Sequence, residues 1–322
     1  MRVHGIAFVM MSIAAMAASP KTPVYEIDGR VDSEAPLSVS IYGATTPFTG
    51  KIISDVHGRF RFRKLLAGSY TVSMVAPGRG EARITVDVGP RTADPSGRVA
   101  LTLNLNDSDY AFSDVVQRDA VSARQLAVPD KAWKEYEEAR KELGRRDSEA
   151  ARRHLERAVE MAPQFAIAWN NLGTIAYQTK NYMRAEQCFR EALAQDPAAY
   201  DALVNLGGVL INLNRLDEAR QANERAISRR PNDALANSQL GLTYFELGQV
   251  EPAEKFLRRA VEIDPAHFSH PQLVLARIHA SQNKPTEAAA GLEDFLRRHP
   301  DSPDAESLRK TIVKLRAPLG PR

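Results

Sequence analysis

Side-chain amides recur at a fixed spacing in the second half of the chain. Asn171, Asn205 and Gln239 follow one another at intervals of 34 residues. A carboxamide can both donate to and accept from a single peptide unit. A ladder of amides on one surface would therefore hold an extended peptide without reading its sequence. The same column could equally be a solvated position that binds nothing.

Apolar and mixed side chains flank the amide column at the same spacing. If the repeat unit is helical, these columns point toward the same surface as the amides. We expect them to form apolar pockets beside the ladder. The first column is Tyr177, Ile211 and Phe245. The second is Trp133, Ile167, Asp201 and Leu235.

A row of arginines lies near the N-terminus. Arg59, Arg61 and Arg63 alternate with Phe60 and Phe62. In a strand, successive side chains point to opposite faces, so the arginines would share the outer face. That face could bind an anionic glycan or a cell-wall polymer. It could also be a soluble outer face, or a dock for an acidic stretch of the chain.

The sequence contains no pattern typical of a catalytic site. None of its 7 histidines falls in a His-Glu-x-x-His arrangement, and there is no phosphate loop or Gly-x-Ser-x-Gly elbow. We expect His267 and His270 to lie in a solvated turn, and Cys188 to be a partly buried structural thiol. The prediction is a protein that is not an enzyme and has no cofactor and no metal.

Charge and cysteine content further narrow the class of protein. The 43 basic and 40 acidic residues give a formal net charge of +3. This balance gives no reason to expect binding to nucleic acid or to a membrane surface. The single cysteine cannot form an internal disulfide, so stability must come from packing.

Residues 1–19 read as a secretory signal peptide. Arg2 is followed by an uncharged apolar run and by the small-x-small pattern Ala15-Met16-Ala17. The run is shorter than the roughly 20 apolar residues of a membrane-spanning helix, and no other stretch is apolar enough to span. We therefore expect an exported bacterial protein that is periplasmic or extracellular after cleavage and has no transmembrane segment.

Residues 21–105 carry the pattern of a β-sandwich. Seven short runs rich in Val, Ile, Thr, Tyr or Phe are separated by Gly, Pro, Asp or Ser. The predicted strands are Val24–Val31, Leu37–Tyr42, Lys51–Ser54, Phe60–Arg63, Ser69–Ala76, Glu81–Val88 and Arg98–Leu105.

The turn at Asp55 and Gly58, with Phe60, Phe62 and Gly68 after it, resembles the carboxypeptidase regulatory-like domain. The resemblance covers roughly residues 24–105. In that family the sandwich accompanies a separate peptidase domain that binds zinc through two histidines and a glutamate. The resemblance therefore implies a fold and no hydrolytic activity.

Residues 131–301 repeat with a helical pattern. Small residues and prolines recur every 34 residues, as two helices in close contact require. The columns are Pro163, Pro197, Pro231 and Pro265; Ala151, Ala185, Ala219 and Ala253; Ala158, Ala192, Ala226 and Ala260; Ala139, Gly173, Gly207 and Gly241; and Leu172, Leu206 and Leu240. This pattern resembles the tetratricopeptide repeat (TPR). It implies five repeats over 131–301, an acidic linker over 106–130, and a capping helix and tail over 302–322.

The sequence thus predicts a multi-domain chain, an N-terminal all-β sandwich followed by a C-terminal all-α TPR solenoid. The concave face of a solenoid is its usual recognition surface. There the amide column is similar to the asparagine ladder of the O-linked N-acetylglucosamine transferase repeats. We expect an exported, non-enzymatic scaffold that binds a partner protein or an extended peptide. The alternative is carbohydrate or cell-envelope polymer binding through the sandwich.

Overall fold

The computed structural model describes residues 22–33, 35–76, 80–105 and 127–317. The predicted signal peptide and most of the predicted linker lie outside these residues. Among the helices that are described, none combines the length and apolar character needed to cross a membrane.

Seven strands form two sheets at the N-terminal end. One sheet has the order β4-β1-β7, with β1 antiparallel to β4 and parallel to β7. The other has the order β3-β2-β5-β6 and is antiparallel throughout. The strands are β1 (Tyr25–Val31), β2 (Ser38–Gly43), β3 (Thr49–Ile53), β4 (Arg59–Leu65), β5 (Gly68–Ala76), β6 (Gly80–Val88) and β7 (Arg98–Leu103).

The alternation of buried and exposed residues sets which side of each strand faces the core. In β4 the arginines are exposed, while Phe60 and Phe62 are buried in a core shared by both sheets. The turn before β4 is fixed by the Asp55 carboxylate, which accepts the backbone N–H groups of His57 and Arg59 at 2.8 Å each. Gly58 adopts φ 71°, which a residue with a side chain rarely takes. The predicted turn and sandwich core are confirmed.

Within residues 127–317, eleven helices follow and form a TPR solenoid. They are α1 (Asp130–Gly144), α2 (Ser148–Met161), α3 (Ala166–Gln178), α4 (Tyr182–Gln195), α5 (Tyr200–Asn212), α6 (Leu216–Arg229), α7 (Ala234–Glu246), α8 (Val250–Ile263), α9 (Pro271–Ser281), α10 (Pro285–Arg298) and α11 (Ala305–Arg316). The odd-numbered helices α1 to α9 are the first helices of five pairs, and α11 packs against α10.

The small residues of the repeat allow the two helices of each pair to approach closely. A Cβ added at Gly173 would lie 2.5 Å from the Phe189 ring, and one at Gly241 would lie 2.6 Å from Leu257. These separations are well below van der Waals contact, so a side chain at either position would force its neighbour to shift. The alanine columns are fully buried. The predicted packing reason for the small-residue columns is confirmed.

Candidate functional site

The outward face of the four-stranded sheet lies opposite the concave face of the solenoid. A cleft of about 1410 Å³ separates the two surfaces and is lined by both. Its solenoid wall comes from α1, α3, α5, α7 and the end of α8, and its sheet wall comes from β2, β3, β5 and β6. The sandwich therefore forms a roof over the concave face, an arrangement that the sequence did not predict.

One side of this roof is held by the ends of first helices. The Arg146 guanidinium, just after α1, donates to the backbone oxygen of Lys64 at 2.9 Å and lies 4.4 Å from the centre of the Phe48 ring. Gln178, at the end of α3, donates its side-chain N–H to the backbone oxygen of Gly43 at 2.9 Å. These contacts attach the sandwich to the first two repeats.

The other side of the roof is held along β6, which is the last strand of its sheet and pairs with β5 alone. The backbone N–H of Thr85 donates to the Asp264 carboxylate at 3.0 Å. The Asp87 carboxylate bonds Nδ1 of His299. An edge strand leaves backbone groups without a neighbouring strand, and here the solenoid covers that edge.

The solenoid residues that contact β6 occupy one repeated position. Arg230, Asp264 and His299 each follow the second helix of a pair and each precede a proline of the repeat column. Arg230 lies within 3.9 Å of the Glu81 carboxylate. Successive residues of β6 therefore contact successive repeats, so the sandwich binds the solenoid at the same position of each repeat.

A histidine cluster lies beside this contact, and the expectation of a solvated turn is wrong. His267 is only 5% exposed, and burial lowers its pKa to about 3. The His270 ring lies 5.0 Å from Phe295 and 4.5 Å from His299, between ring centres. Burial and the neighbouring His299 lower the pKa of His270 to about 4. The cover of Phe295 and His299 could not be read from residues 265–271 alone.

Two members of the predicted amide ladder line the cleft. Asn171 donates to the Tyr136 hydroxyl at 3.4 Å, and Asn205 donates to the Asn170 side-chain oxygen at 3.1 Å. Each bond uses one of the two N–H groups of its amide, so each amide keeps capacity for a ligand. Gln239 packs against Gly208 of α5 and does not line the cleft.

Asn170 is a cleft residue that the search for repeated amides missed. It lines the cleft next to Asn171. Its counterparts one and two repeats later are Val204 and Ser238, so no amide column passes through it. The sequence signal for Asn170 is its position next to Asn171 on the same helical turn, which places both amides near the same face of the helix.

The two flanking columns differ in whether they line the cleft. Tyr177, Ile211 and Phe245 are half-buried and pack against the solenoid cores, and none of the three lines the cleft. Ile167 and Leu235 of the second column do line it, and so does Asp201. Ile167 is 37% exposed there, which makes it an accessible apolar side chain on the cleft wall.

The arginine row lies on the other sheet, on an exposed face. Arg61 donates to the Asp28 carboxylate at 2.6 Å. Arg63 lies 3.8 Å from the Glu26 carboxylate. The row therefore faces solvent as predicted, but acidic side chains of β1 neutralise part of its charge.

The remaining candidate groups offer no reactive site. Cys188 is fully buried, and burial raises the pKa of its thiol. In the described ranges, no three His, Cys, Asp or Glu side chains lie together as metal ligands would. Burial lowers the pKa values of His267 and His270 and raises that of the Tyr200 hydroxyl. Tyr200 and His267 are among the residues that line the cleft.

Comparison with known proteins identifies the class of the solenoid. The family model of the cilia and flagella-associated protein 70 middle TPR-like domain matches residues 134–252. A tetratricopeptide repeat model matches residues 272–302. The helical part of the chain is therefore a TPR solenoid, in agreement with the repeat columns.

Curated relatives share part of the chain. A cellulose synthase operon protein C from Xanthomonas axonopodis pv. citri is 25% identical over 237 residues, which is 70% of this chain and 16% of that protein. A peroxisomal targeting signal receptor from Eremothecium gossypii is 33% identical over 92 residues, 29% of this chain and 16% of the receptor. The chain thus spans about a sixth of the length of each.

Among solved structures, PilW, a widely conserved type IV pilus biogenesis factor, is similar with a TM-score of 0.52 and 23% identity. The match covers 57% of this chain and 85% of PilW. This likeness shows the shared fold of the helical part.

Proposed function

We propose that the protein is a non-enzymatic interaction scaffold that binds an extended segment of a partner protein in the cleft under the sandwich. The observation that carries the proposal is the pair Asn171 and Asn205. They lie one repeat apart on the concave face, and both line the cleft. The class supports it, since TPR solenoids bind proteins and peptides through this face.

The cleft offers the mixture of groups that a peptide backbone requires. Amides can pair with successive peptide units, because each peptide unit carries one donor and one acceptor. Ile167 and Leu235 supply apolar surface beside them. A relative named as a targeting signal receptor is consistent with recognition of a short segment by such repeats.

The proposal also includes export of the protein and a family relationship for the sandwich. We infer that residues 1–19 direct export and that the mature protein acts in the periplasm or outside the cell. We also infer that the sandwich is related to the carboxypeptidase regulatory-like domain, on the turn and core residues that carried the resemblance. N-terminal sequencing of the protein from its native cells tests export: a start near residue 20 supports it, and a start at Met1 overturns it.

Binding of an anionic polymer to Arg59, Arg61 and Arg63 is the second candidate. Its supporting observation is the exposure of all three side chains on one sheet face. The ion pairs of Arg61 and Arg63 with Asp28 and Glu26 make it less favourable, because a polymer would have to displace them. Loss of envelope polysaccharide binding on the double change Arg59→Glu and Arg61→Glu would favour it.

A photocrosslinking experiment tests the proposed function. A photoreactive amino acid replaces Ile167 in the cleft, and, as a matched control, Met183, an apolar residue of α4 that is 61% exposed and lies outside the cleft. We expect a partner adduct from position 167 that is lost on Asn171→Ala with Asn205→Ala. Adducts of equal yield at both positions, or none at 167, would overturn the proposal.

A further inference from the structure

The two outer faces of the sandwich differ in chemistry. The face of the β4-β1-β7 sheet carries paired charges, among them Arg61 with Asp28 and Arg98 with Glu26. The face turned to the cleft carries small hydroxyl groups in its centre, with Lys51 of β3 on one side of them and the ion pair of Glu81 and Arg83 of β6 on the other. The hydroxyl residues are Ser38 and Ser40 of β2, and Thr71 and Ser73 of β5, with Tyr42 at the end of β2.

An apolar face would be expected if the sheet packed directly against the helices, but this face is polar. The contacts lie at Arg146 and Gln178 on one side. On the other side they lie along β6, where Arg83 donates to Asp201 of α5 at 3.0 Å and where Asp264 and His299 also bond the strand. Between them the cleft of about 1410 Å³ separates the sheet from the helices. This volume exceeds the roughly 300–1,000 Å³ of typical small-ligand pockets.

The strand register places the hydroxyl groups in one row across the sheet. Ser40 of β2 lies opposite Ser73 of β5, and Tyr42 lies opposite Thr71. Their neighbours along β2, Val39 and Ile41, are fully buried in the sandwich core. The hydroxyl row therefore points to the cleft side, facing Asn171 and Asn205 across it.

We propose that this hydroxyl row is the second wall of the peptide site, so that sheet and helices bind one extended chain between them. The proposal rests on the proposed function and deepens it. Hydroxyls donate and accept, as amides do. Lys51 of β3 lies beside Ser40 in the strand register, so the sheet wall also carries a positive charge next to the row. The ligand is an extended peptide segment that contacts both walls.

The contacts on both sides hold the two walls in place before a ligand arrives. A site formed in advance loses less conformational freedom on binding than one assembled around the ligand. The sandwich then has a functional role in recognition, since removal of its hydroxyl row would leave a site with only one wall.

The test uses the full chain and a displayed library of random 12-residue peptides. The most enriched peptide is then titrated against three variants. Ser40→Trp places a large side chain on the sheet wall, and Trp is well tolerated in strands. Ser40→Thr keeps the hydroxyl, and Ala100→Trp adds the same ring to an exposed site on the charged sheet. Circular dichroism and thermal melting verify folding.

We expect Ser40→Trp to weaken binding at least tenfold, and Ser40→Thr and Ala100→Trp to change it less than twofold. If Ser40→Trp has no effect while Asn205→Ala weakens binding, the second wall is overturned and the concave site stands. If neither change weakens binding, both proposals fail. No enrichment over the Asn171→Ala, Asn205→Ala protein, or selective binding of an uncharged oligosaccharide instead, overturns the peptide class.

Discussion

The backbone N–H of Thr85 donates to the carboxylate of Asp264 at 3.0 Å, although the two residues are 179 positions apart. Thr85 belongs to the edge strand of the sandwich, and Asp264 ends the second helix of the fourth repeat. Both residues are buried. Burial raises the pKa of the Asp264 carboxyl above its usual value. This bond joins the roof of the cleft to the solenoid.

Loss of this bond should be visible at one amide. Asp264→Ala removes the acceptor of Thr85, and a typical hydrogen bond is worth about 1 kcal/mol. We therefore expect hydrogen exchange at the Thr85 amide to accelerate roughly fivefold. Exchange measured by NMR on the full chain checks this expectation.

A residue at the same repeat position provides the control. Asp196 accepts the backbone N–H of Ala198, as Asp264 accepts that of Ala266. Asp196→Ala should leave the exchange of Thr85 unchanged. Asp264→Asn retains a side-chain carbonyl and should keep most of the protection. Equal acceleration in Asp264→Ala and Asp196→Ala would contradict the assigned contact.

Acidification should destabilise the protein through its buried histidines. Burial lowers the pKa of His270 to about 4 and that of His267 to about 3, from 6.5. The unfolded chain therefore binds protons first as the pH falls below 6.5, and folding stability decreases down to each folded-state pKa. The slope is about 1.4 kcal/mol per pH unit for each histidine. The raised pKa of Asp264 opposes this trend, because the folded state then binds that proton at a higher pH than the unfolded chain does.

Urea unfolding at pH 7, 6 and 5 measures this slope. In His270→Asn it should be smaller, because one buried base is gone and Asn tolerates the left-handed backbone of this residue, φ 52°. His57 is exposed on the sandwich turn, so His57→Asn should keep the original slope. A slope unaffected by His270→Asn would show that other groups cause the acid sensitivity.

The third repeat contains a buried amide where an apolar residue is expected. Asn223 is fully buried and replaces the large apolar residue found at Leu155, Phe189 and Leu257. Its Nδ2 donates to Thr243 at 3.3 Å, while its Oδ1 is buried and has no hydrogen-bond partner among the described residues. Leaving such a group unsatisfied costs about 1–3 kcal/mol.

Asn223→Leu should therefore stabilise the solenoid by roughly 1–3 kcal/mol. The equivalent pair Leu257 and Gly241 shows that leucine fits beside the glycine of a first helix. Thr243 keeps its bond to the Gln239 backbone oxygen. Chemical denaturation measures the gain, and Asn223→Ala, which leaves a cavity, should not reproduce it. Destabilisation by Asn223→Leu would mean that the Thr243 contact outweighs the unsatisfied oxygen.

The amide pair should contribute to affinity in steps. Asn171→Ala and Asn205→Ala each remove about one hydrogen bond to a bound peptide, worth about 0.5–1.5 kcal/mol. We expect each change to weaken the enriched peptide by roughly 2–10-fold. Gln239→Ala is the control, because Gln239 lies outside the cleft lining. Calorimetric titration measures all three, and an equal loss in Gln239→Ala would contradict the site.

Local pattern was enough to predict the elements. The seven strands begin and end within two residues of their predicted bounds, because Gly, Pro and Asp turns separate them. The fold class, a sandwich followed by a TPR solenoid, is confirmed. The glycine and alanine columns predicted close helix contacts because only small residues permit them.

The relation between the two parts could not be predicted. It depends on single hydrogen bonds between residues such as Asp87 and His299, which are 212 positions apart and unremarkable in their local sequence. The column Arg230, Asp264 and His299 has a regular position but no common residue type, so a search for repeated types passes over it. The burial of His267 likewise depends on tertiary contacts that its local sequence does not indicate.

A crystal structure of the full chain with the enriched peptide would show where the peptide binds. We expect an extended peptide in the cleft, with backbone groups within hydrogen-bond distance of the side chains of Asn171 and Asn205 and with Ser40 on its opposite side. A peptide bound on the arginine face, on the outside of the solenoid or at the Tyr177 column would contradict it.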